Sequence, residues 1–110
     1  MAYYLIQGSY TPEAWADMVK NPQNRLEINR AIAENLGVTI VDGWLAFGEY
    51  DFVLIIQAAD RISEAAFSLI GWAGGALKSI KTTPLMTWRE GIEAMKKASA
   101  VTSEYKPPSK

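Results

Sequence analysis

Apolar runs, turn formers and amphipathic stretches alternate along the chain in an order that predicts four strands and four helical segments. β-Branched and aromatic residues gather in four apolar runs, which predict strands over residues 2–9, 38–47, 50–58 and 77–86. Polar capping residues precede the helical segments, which are predicted to follow Thr11-Pro12, Asn21-Pro22, Asp60 and Thr87. The order is strand, helix (broken once), strand, strand, helix, strand and a final helix, which indicates an α+β fold.

The same pattern predicts how the helices start and which sides they bury. Asn21 is expected to cap the second helical segment, because the residue before a proline leaves the helical region. Ile28, Ile32 and Leu36 recur every four residues in that segment and predict one buried stripe. Asp60 is expected to cap the third helix and Gly74-Gly75 to end it. Thr87 and Glu90 have the spacing of a capping box, and Ile92 and Met95 are expected to point inward.

The second strand alternates imperfectly and has apolar residues on both sides. Its two predicted sides are Val41, Leu45 and Phe47 on one and Ile40, Trp44 and Ala46 on the other. The third strand is also apolar on both faces. We therefore expect both faces of the sheet to be covered.

Right-handed crossovers and a central hairpin arrange these elements as a ferredoxin-like βαββαβ domain. It has a four-stranded antiparallel sheet, helices on one face and an extra C-terminal helix, and we expect it to cover residues 1–100. Residues 101–110 are predicted to be a disordered tail. Burial of the open sheet face predicts sheet-to-sheet pairing of two copies into a dimeric α+β barrel, so the expected partner is the chain itself, as a homodimer or larger.

Composition narrows the chemistry that this chain can perform. The 110 residues include no cysteine and no histidine, which excludes a thiolate nucleophile, a Zn–Cys site and an imidazole base. No metal and no cofactor are expected. The formal net charge of −1 does not favour binding to nucleic acid or to an acidic membrane surface. No apolar run has the length of a membrane span. We expect a soluble, cytoplasmic protein.

The central hairpin carries a recognisable motif in the run Gly48-Glu49-Tyr50-Asp51-Phe52-Val53. This run resembles the signature of the GYD-domain family. Further landmarks in matching order are Tyr10-Thr11, Asn21-Pro22, Leu36-Gly37 and Asp60, so that the likeness extends over residues 3 to 95. The resemblance implies membership of the dimeric α+β barrel superfamily. It supplies no established catalytic residues.

Tyr50 and Asp51 are candidate ligand-binding residues at the start of the third strand. In a functional interpretation they form a polar pair at the mouth of a cavity, with the tyrosine as donor or acid and the aspartate as base or anchor. In a structural interpretation Asp51 accepts backbone N–H bonds in the hairpin turn and Tyr50 packs over the sheet edge, as is frequent beside a tight turn.

Asp42 and Trp44 in the second strand are the other two candidates. Asp42 would need a partner if it faced inward, whereas a bulge would leave its carboxylate in water. Trp44 could serve as a stacking platform or as a packing residue. Arg25 and Arg30 are interpreted as part of a solvated helix face to which no site is attached.

Three hypotheses of function follow. The preferred one is a homo-oligomeric small-molecule-binding protein without catalysis. The first alternative is a cofactor-free oxygenase or isomerase of the dimeric α+β barrel kind, in which tyrosine and aspartate would supply the acid–base work. The second alternative is a structural or regulatory interaction module.

Overall fold

One antiparallel sheet contains all four strands in the computed structural model, which describes residues 1–109. The strands are β1 (Ala2–Tyr10), β2 (Val38–Leu45), β3 (Phe52–Ala58) and β4 (Leu77–Leu85). Their order across the sheet is β2-β3-β1-β4, with β1 and β3 in the centre. This order and the alternation of strands with helices confirm the predicted ferredoxin-like βαββαβ architecture.

Three helices lie on one face of this sheet, and a fourth follows β4. They are α1 (Pro12–Lys20), α2 (Arg25–Glu34), α3 (Arg61–Ala73) and α4 (Trp88–Val101), after which Thr102–Glu104 form a short 3₁₀ turn. Within residues 1–109, none of the helices combines the length and the apolar character that a bilayer span requires. The disordered tail over residues 101–110 remains a prediction. Its first residue, Val101, is the last residue of α4, and its last, Lys110, lies outside the described residues.

Each helix begins at a polar side chain that accepts a backbone N–H of the first turn. The predicted caps Asp60 and Thr87 are confirmed, and Thr87 forms the complete capping box with Glu90. Asn24, not Asn21, caps α2. Asn21 is the C-cap of α1, and α2 begins only at Arg25, too far along the chain for Asn21 to cap it.

The core lies between the sheet and the helices that cover it. Its buried side chains are Tyr4, Ile6, Ala33, Val38, Ile40, Leu54, Ile56 and Ala58. Of the stripe predicted for the second helical segment, Ile32 and Leu36 are half-buried but Ile28 is 41% exposed. Ala33 is instead the fully buried residue of α2. Ile28 and Ala33 are five positions, or about 140°, apart on the helix, so a helix that buries Ala33 turns Ile28 towards water.

A β-bulge changes the facing of β2 halfway along the strand. Ile40 pairs with Ile56, but the next pair joins Asp42 to Ile55, so Val41 is the extra residue. Before the bulge Ile40 faces the helices, and after it Leu45 does so opposite Phe52. The predicted grouping of β2 side chains is therefore wrong, since a strict period of two was assumed across an insertion.

The connection between β2 and β3 is longer than the predicted two-residue turn. Residues 46–51 form an irregular loop, which the Ala46 N–H closes by donating to the Asp51 carbonyl oxygen at 2.8 Å. The predicted strand ends at Phe47 and Tyr50 therefore fall in the loop. Phe47 and Tyr50 are aromatic residues of the kind that strands favour, but neither pairs with a neighbouring strand.

The open face of the sheet is mixed in character. Register places apolar side chains at its centre and polar ones beside them, namely Leu5, Val53 and Ile55 with Gln7, Gln57 and Lys81. The three apolar residues are half-buried in the single chain. The expectation of an apolar open face thus holds for the centre only.

Helix α4 extends away from the rest of the chain. Within residues 1–109 its substantial contacts are with the 3₁₀ turn that follows it. The radius of gyration is 18.1 Å, against about 13 Å for a compact chain of this length. Ile92 and Met95 are 48% and 59% exposed, so their predicted inward orientation is wrong. Their amphipathic spacing is real, but no other element within residues 1–109 covers them.

The Asp51 carboxylate joins three elements at one corner of the domain. Its Oδ2 atom accepts the backbone N–H of Tyr10 at the end of β1, at 2.9 Å, and the indole N–H of Trp15 in α1, at 3.0 Å. Its own N–H donates to the Gly8 carbonyl oxygen at 2.8 Å. Asp51 does accept a backbone N–H, as the structural interpretation states, but the donor belongs to β1 and not to the hairpin turn.

Gly8 lies where the Phe52 ring crosses the centre of the sheet. A Cβ atom at position 8 would collide with the ring carbons of Phe52 and would lie 2.9 Å from the Ser79 carbonyl oxygen. The ring fills the space that the missing side chain leaves, so the two residues are matched in size.

Gly8→Ala should lower the free energy of unfolding by about 1–3 kcal/mol, because the Phe52 ring must leave its position. Gly91→Ala is the matched control, since nothing lies within 4 Å of a Cβ there. Gly91→Ala should leave that free energy within about 0.5 kcal/mol of the parent, because the substantial contacts of α4 within residues 1–109 are with the 3₁₀ turn and not with the sheet. Urea denaturation measures both, and equal effects of the two substitutions would contradict the packing argument.

Asp51→Ala should lower the free energy of unfolding by about 1–3 kcal/mol, because two part-buried N–H donors lose their acceptor. Asp51→Asn should cost about half as much, since the amide oxygen still accepts but without charge. The control is Asp42→Ala, expected within about 0.5 kcal/mol of the parent, because Asp42 accepts only its neighbour's N–H at an exposed site. Thermal and urea unfolding decide, and no difference between positions 51 and 42 would refute the role of the corner.

Candidate functional site

A wide apolar cleft separates α1 and α2 from α3 above the sheet. Its volume is about 890 Å³. Sheet residues form the floor, including Ile6, Phe52, Leu54 and Ile80. Helix residues form the walls, including Met18, Leu26, Ile32, Phe67 and Ile70. The cleft exists because each helical segment packs on the sheet and not on the segment opposite.

Small residues in the cleft lining let neighbouring apolar side chains pack closely. Gly43 in β2, Gly71 in α3 and Ala76 before β4 all line it. A Cβ atom on Gly71 would lie 3.0 Å from a methyl carbon of Leu77 and 3.5 Å from one of Ile80. A Cβ atom on Gly43 would lie 2.5 Å from a methyl carbon of Leu54, so at both glycines a neighbouring side chain already occupies the space.

Few polar side chains reach this apolar space. They include Tyr10, Arg25, Asn29 and Ser68. Ser68 already donates to a Glu64 carboxylate oxygen at 2.6 Å. Arg25 donates from Nη1 to the amide oxygen of Gln23 at 3.0 Å, and both residues border the cleft.

An aromatic corner stands at one end of the cleft. The rings of Tyr10 and Trp15 meet edge to face with centroids 5.3 Å apart, and Tyr10 and Phe52 meet at 5.2 Å. The Asp51 carboxylate holds two members of this corner through the Tyr10 backbone and the Trp15 indole. The corner is therefore fixed by a polar anchor outside the cleft lining.

The Tyr10 hydroxyl remains protonated well above neutral pH. Burial raises the pKa of Tyr10, the Arg25 charge acts in the opposite direction, and the Asp51 charge adds to the rise. A protonated phenol both donates and accepts hydrogen bonds. Tyr10 therefore presents a hydrogen-bond donor to whatever occupies this end.

The four candidates from the sequence are not brought together. Trp44 lines the cleft and is 55% exposed. Tyr50 and Asp51 lie at the loop that precedes β3 and do not line the cleft, and Asp42 is exposed on β2. As ligand contacts these residues remain predictions.

Sequence reasoning missed Tyr10 and Arg25. The interpretation of Arg25 and Arg30, with Glu27 and Glu34, as a solvated face holds for the two exposed glutamates but not for the two half-buried arginines. Arg25 borders the cleft, and Arg30 donates to the Ile40 carbonyl oxygen at 3.1 Å. The break between α1 and α2 was a signal that could have pointed to Arg25. A residue at the start of a new helix does not continue the buried and exposed sides of the helix before it. Among residues 1–109 no group of three acidic side chains is clustered as a metal site would need.

Comparison with known proteins gives matches to sequence and to fold. Residues 4–95 match the GYD domain family. A Thermus thermophilus protein described as a glutamine synthetase and cystathionine beta-lyase binding protein is 28% identical over 80 residues, which cover 73% of this chain and 84% of that protein.

Two solved structures share the fold. MtbAldR superposes with a TM-score of 0.58 at 17% identity, over 78% of this chain and 53% of that one. An AsnC family transcriptional regulator from Agrobacterium tumefaciens superposes with a TM-score of 0.51 at 12% identity, over 78% of this chain and 50% of that one. The chain spans about half the length of these two proteins, and at such identities the likeness is one of fold alone. Since the family match covers most of its residues, the chain belongs to the GYD domain family.

Proposed function

We propose that this chain is a non-catalytic small-molecule-binding protein whose binding site is the cleft between α1, α2 and α3. The observation that carries the proposal is the cleft itself, with its volume of about 890 Å³ and its largely apolar lining. Binding pockets for small molecules have volumes of about 300–1,000 Å³ and combine apolar walls with a few polar groups. Tyr10, Arg25 and Asn29 are such groups.

The cleft lining favours binding over acid–base catalysis. No aspartate or glutamate is among its lining residues, all of which lie within residues 1–109. The Asp51 carboxylate is engaged by two N–H donors, and burial holds the Tyr10 phenol in its protonated form. A general base would need a free acceptor within reach of substrate.

The cleft should bind N-phenyl-1-naphthylamine, an uncharged dye whose fluorescence rises in apolar surroundings. Ala76→Trp should weaken that binding at least about tenfold, or 1.4 kcal/mol, because the indole takes the dye's space. Ala65→Trp on the exposed side of α3 is the matched control and should change the affinity less than about twofold. Fluorescence titration makes the measurement, after thermal unfolding shows that each variant is folded.

Two results would refute this proposal. One is the absence of saturable dye binding to the parent protein. The other is equal binding by the Ala76→Trp and Ala65→Trp variants, which would locate the dye on another apolar surface.

A second proposal concerns partners, and the exposed helix α4 supports it. The related Thermus thermophilus protein is described as binding two enzymes, which favours a regulatory role in protein association for this chain as well. Trp88 is 83% exposed and Met95 59%, both on the apolar side of α4. Large apolar side chains left in water in this way indicate an interface.

We propose that a second copy of this chain covers that side of α4 together with the open sheet face. Trp88 alone offers about 200 Å² of aromatic surface. A two-fold axis places one α4 and one sheet face from each copy in the interface. A stable interface needs about 800 Å² from each partner. The centre of the open sheet face, with Leu5, Val53 and Ile55, supplies further apolar area.

Ile92→Glu should convert the assembly to monomers, because it places a charge among the apolar side chains of α4. Ala100→Glu adds the same charge away from that side, since the two residues are eight positions and about 80° apart on a helix, and should leave the mass unchanged. Light scattering over a dilution series measures the mass. A monomeric parent would overturn self-association and would leave α4 to a different protein partner.

A further inference from the structure

The cleft holds one formal charge, and it is positive. Arg25 is the sole charged side chain among the lining residues, which all belong to the described part of the chain. The other polar side chains at the cleft are neutral. An apolar site with a single cation differs from a purely apolar groove, because it distinguishes ligands by charge.

Arg25 lacks the partner that the neighbouring arginine has. Arg30 forms an ion pair with Glu27 at 3.4 Å, whereas Arg25 makes no ion pair within residues 1–109. Its hydrogen bond runs to the neutral amide oxygen of Gln23. The guanidinium carries five N–H donors, so most of them remain available. A half-buried cation beside apolar walls gains when an anion replaces its lost water.

Tyr10 adds a neutral donor near the same charge. Arg25 is close enough to Tyr10 to act on the pKa of its hydroxyl, although burial dominates and the pKa is raised. Tyr10 and Arg25 both line the cleft, so the phenol and the guanidinium are the donors that an anion bound there would meet. The carboxylate behind this corner, Asp51, already accepts two N–H bonds.

The aromatic rings define what surrounds the donors. Tyr10, Trp15 and Phe52 form one continuous corner with centroid separations of 5.3 and 5.2 Å. Flat apolar groups pack well against such rings in edge-to-face or offset geometry. The donors thus sit beside a surface suited to a ring.

We propose that the cleft selects small molecules that carry one carboxylate or sulfonate on an aromatic, apolar body, with Arg25 and Tyr10 binding the anion. This inference rests on the proposed binding function of the cleft. The hydrophobic body provides most of the contact area, and Arg25 decides between charged and uncharged ligands of the same shape. Guanidinium groups suit this task because their planar fork matches a carboxylate or sulfonate.

A matched pair of dyes separates the charge from the apolar body. 8-Anilinonaphthalene-1-sulfonate has the ring system of N-phenyl-1-naphthylamine with one added sulfonate. Arg25→Met should weaken binding of the sulfonate dye about tenfold, because a charge-assisted contact is lost, and should change binding of the neutral dye less than about twofold. Tyr10→Phe should weaken the sulfonate dye about two- to fivefold by the same reasoning.

Arg61→Met is the control for charge, because Arg61 is exposed at the start of α3 and does not line the cleft. It should change neither dye's affinity by more than about twofold. Raising the salt concentration should weaken the sulfonate dye and leave the neutral dye unchanged. Circular dichroism and thermal unfolding verify that each variant remains folded.

The outcomes separate this inference from the function on which it rests. Equal loss of both dyes in Arg25→Met would mean that Arg25 shapes the cleft, and the anion proposal would fall. Unchanged sulfonate binding in Arg25→Met would also overturn it, while neutral-dye binding that is sensitive to Ala76→Trp would leave the binding function standing. Failure of the neutral dye to bind at all would count against both.

Discussion

The Asp51 carboxylate is the contact on which the arrangement of this domain depends. One oxygen accepts from the end of β1 and from α1, while the backbone of the same residue joins the hairpin to the centre of the sheet. A side chain that is only half-buried thus determines where the first helix departs from the first strand. The aromatic corner, and with it one end of the cleft, depends on that departure. The Tyr and Asp of the family motif therefore differ in what they do here, since Tyr50 makes no comparable bond among the described residues.

The elements and their order could be predicted because they depend on local signals. Helix starts at the caps Asp60 and Thr87, and the helix end at the glycines after α3, were predicted correctly because each signal lies in the adjacent residues. The bulge at Val41 could not be predicted, because an extra residue in a strand has no composition of its own. The exposure of α4 was also out of reach. Amphipathic spacing identifies the side that needs cover but not the surface that provides it.

The polar lining of the cleft was out of reach of the sequence for a related reason. The sequence pointed to Tyr50, Asp51, Asp42 and Trp44, which are polar or aromatic residues near a motif. Of these, Trp44 lines the cleft, whose polar groups come from the end of β1, from α2 and from α3, elements that meet only when the domain is assembled. Arg25 looked like an ordinary surface charge, since nothing in the neighbouring sequence tells how far apart two helical segments will lie. Contacts between residues far apart in the sequence cannot be read from local patterns, even when every helix and strand is predicted correctly.

Helices α1, α2 and α3 lie on one face of a single-layered sheet, and this has a consequence for how binding and assembly would coexist. The cleft opens on the helical side, whereas Leu5, Val53 and Ile55 occupy the opposite side of the same sheet. Subunits joined back to back through that opposite side would each keep an outward-facing entrance. Small molecules could then enter and leave every subunit independently, without any need for the assembly to come apart.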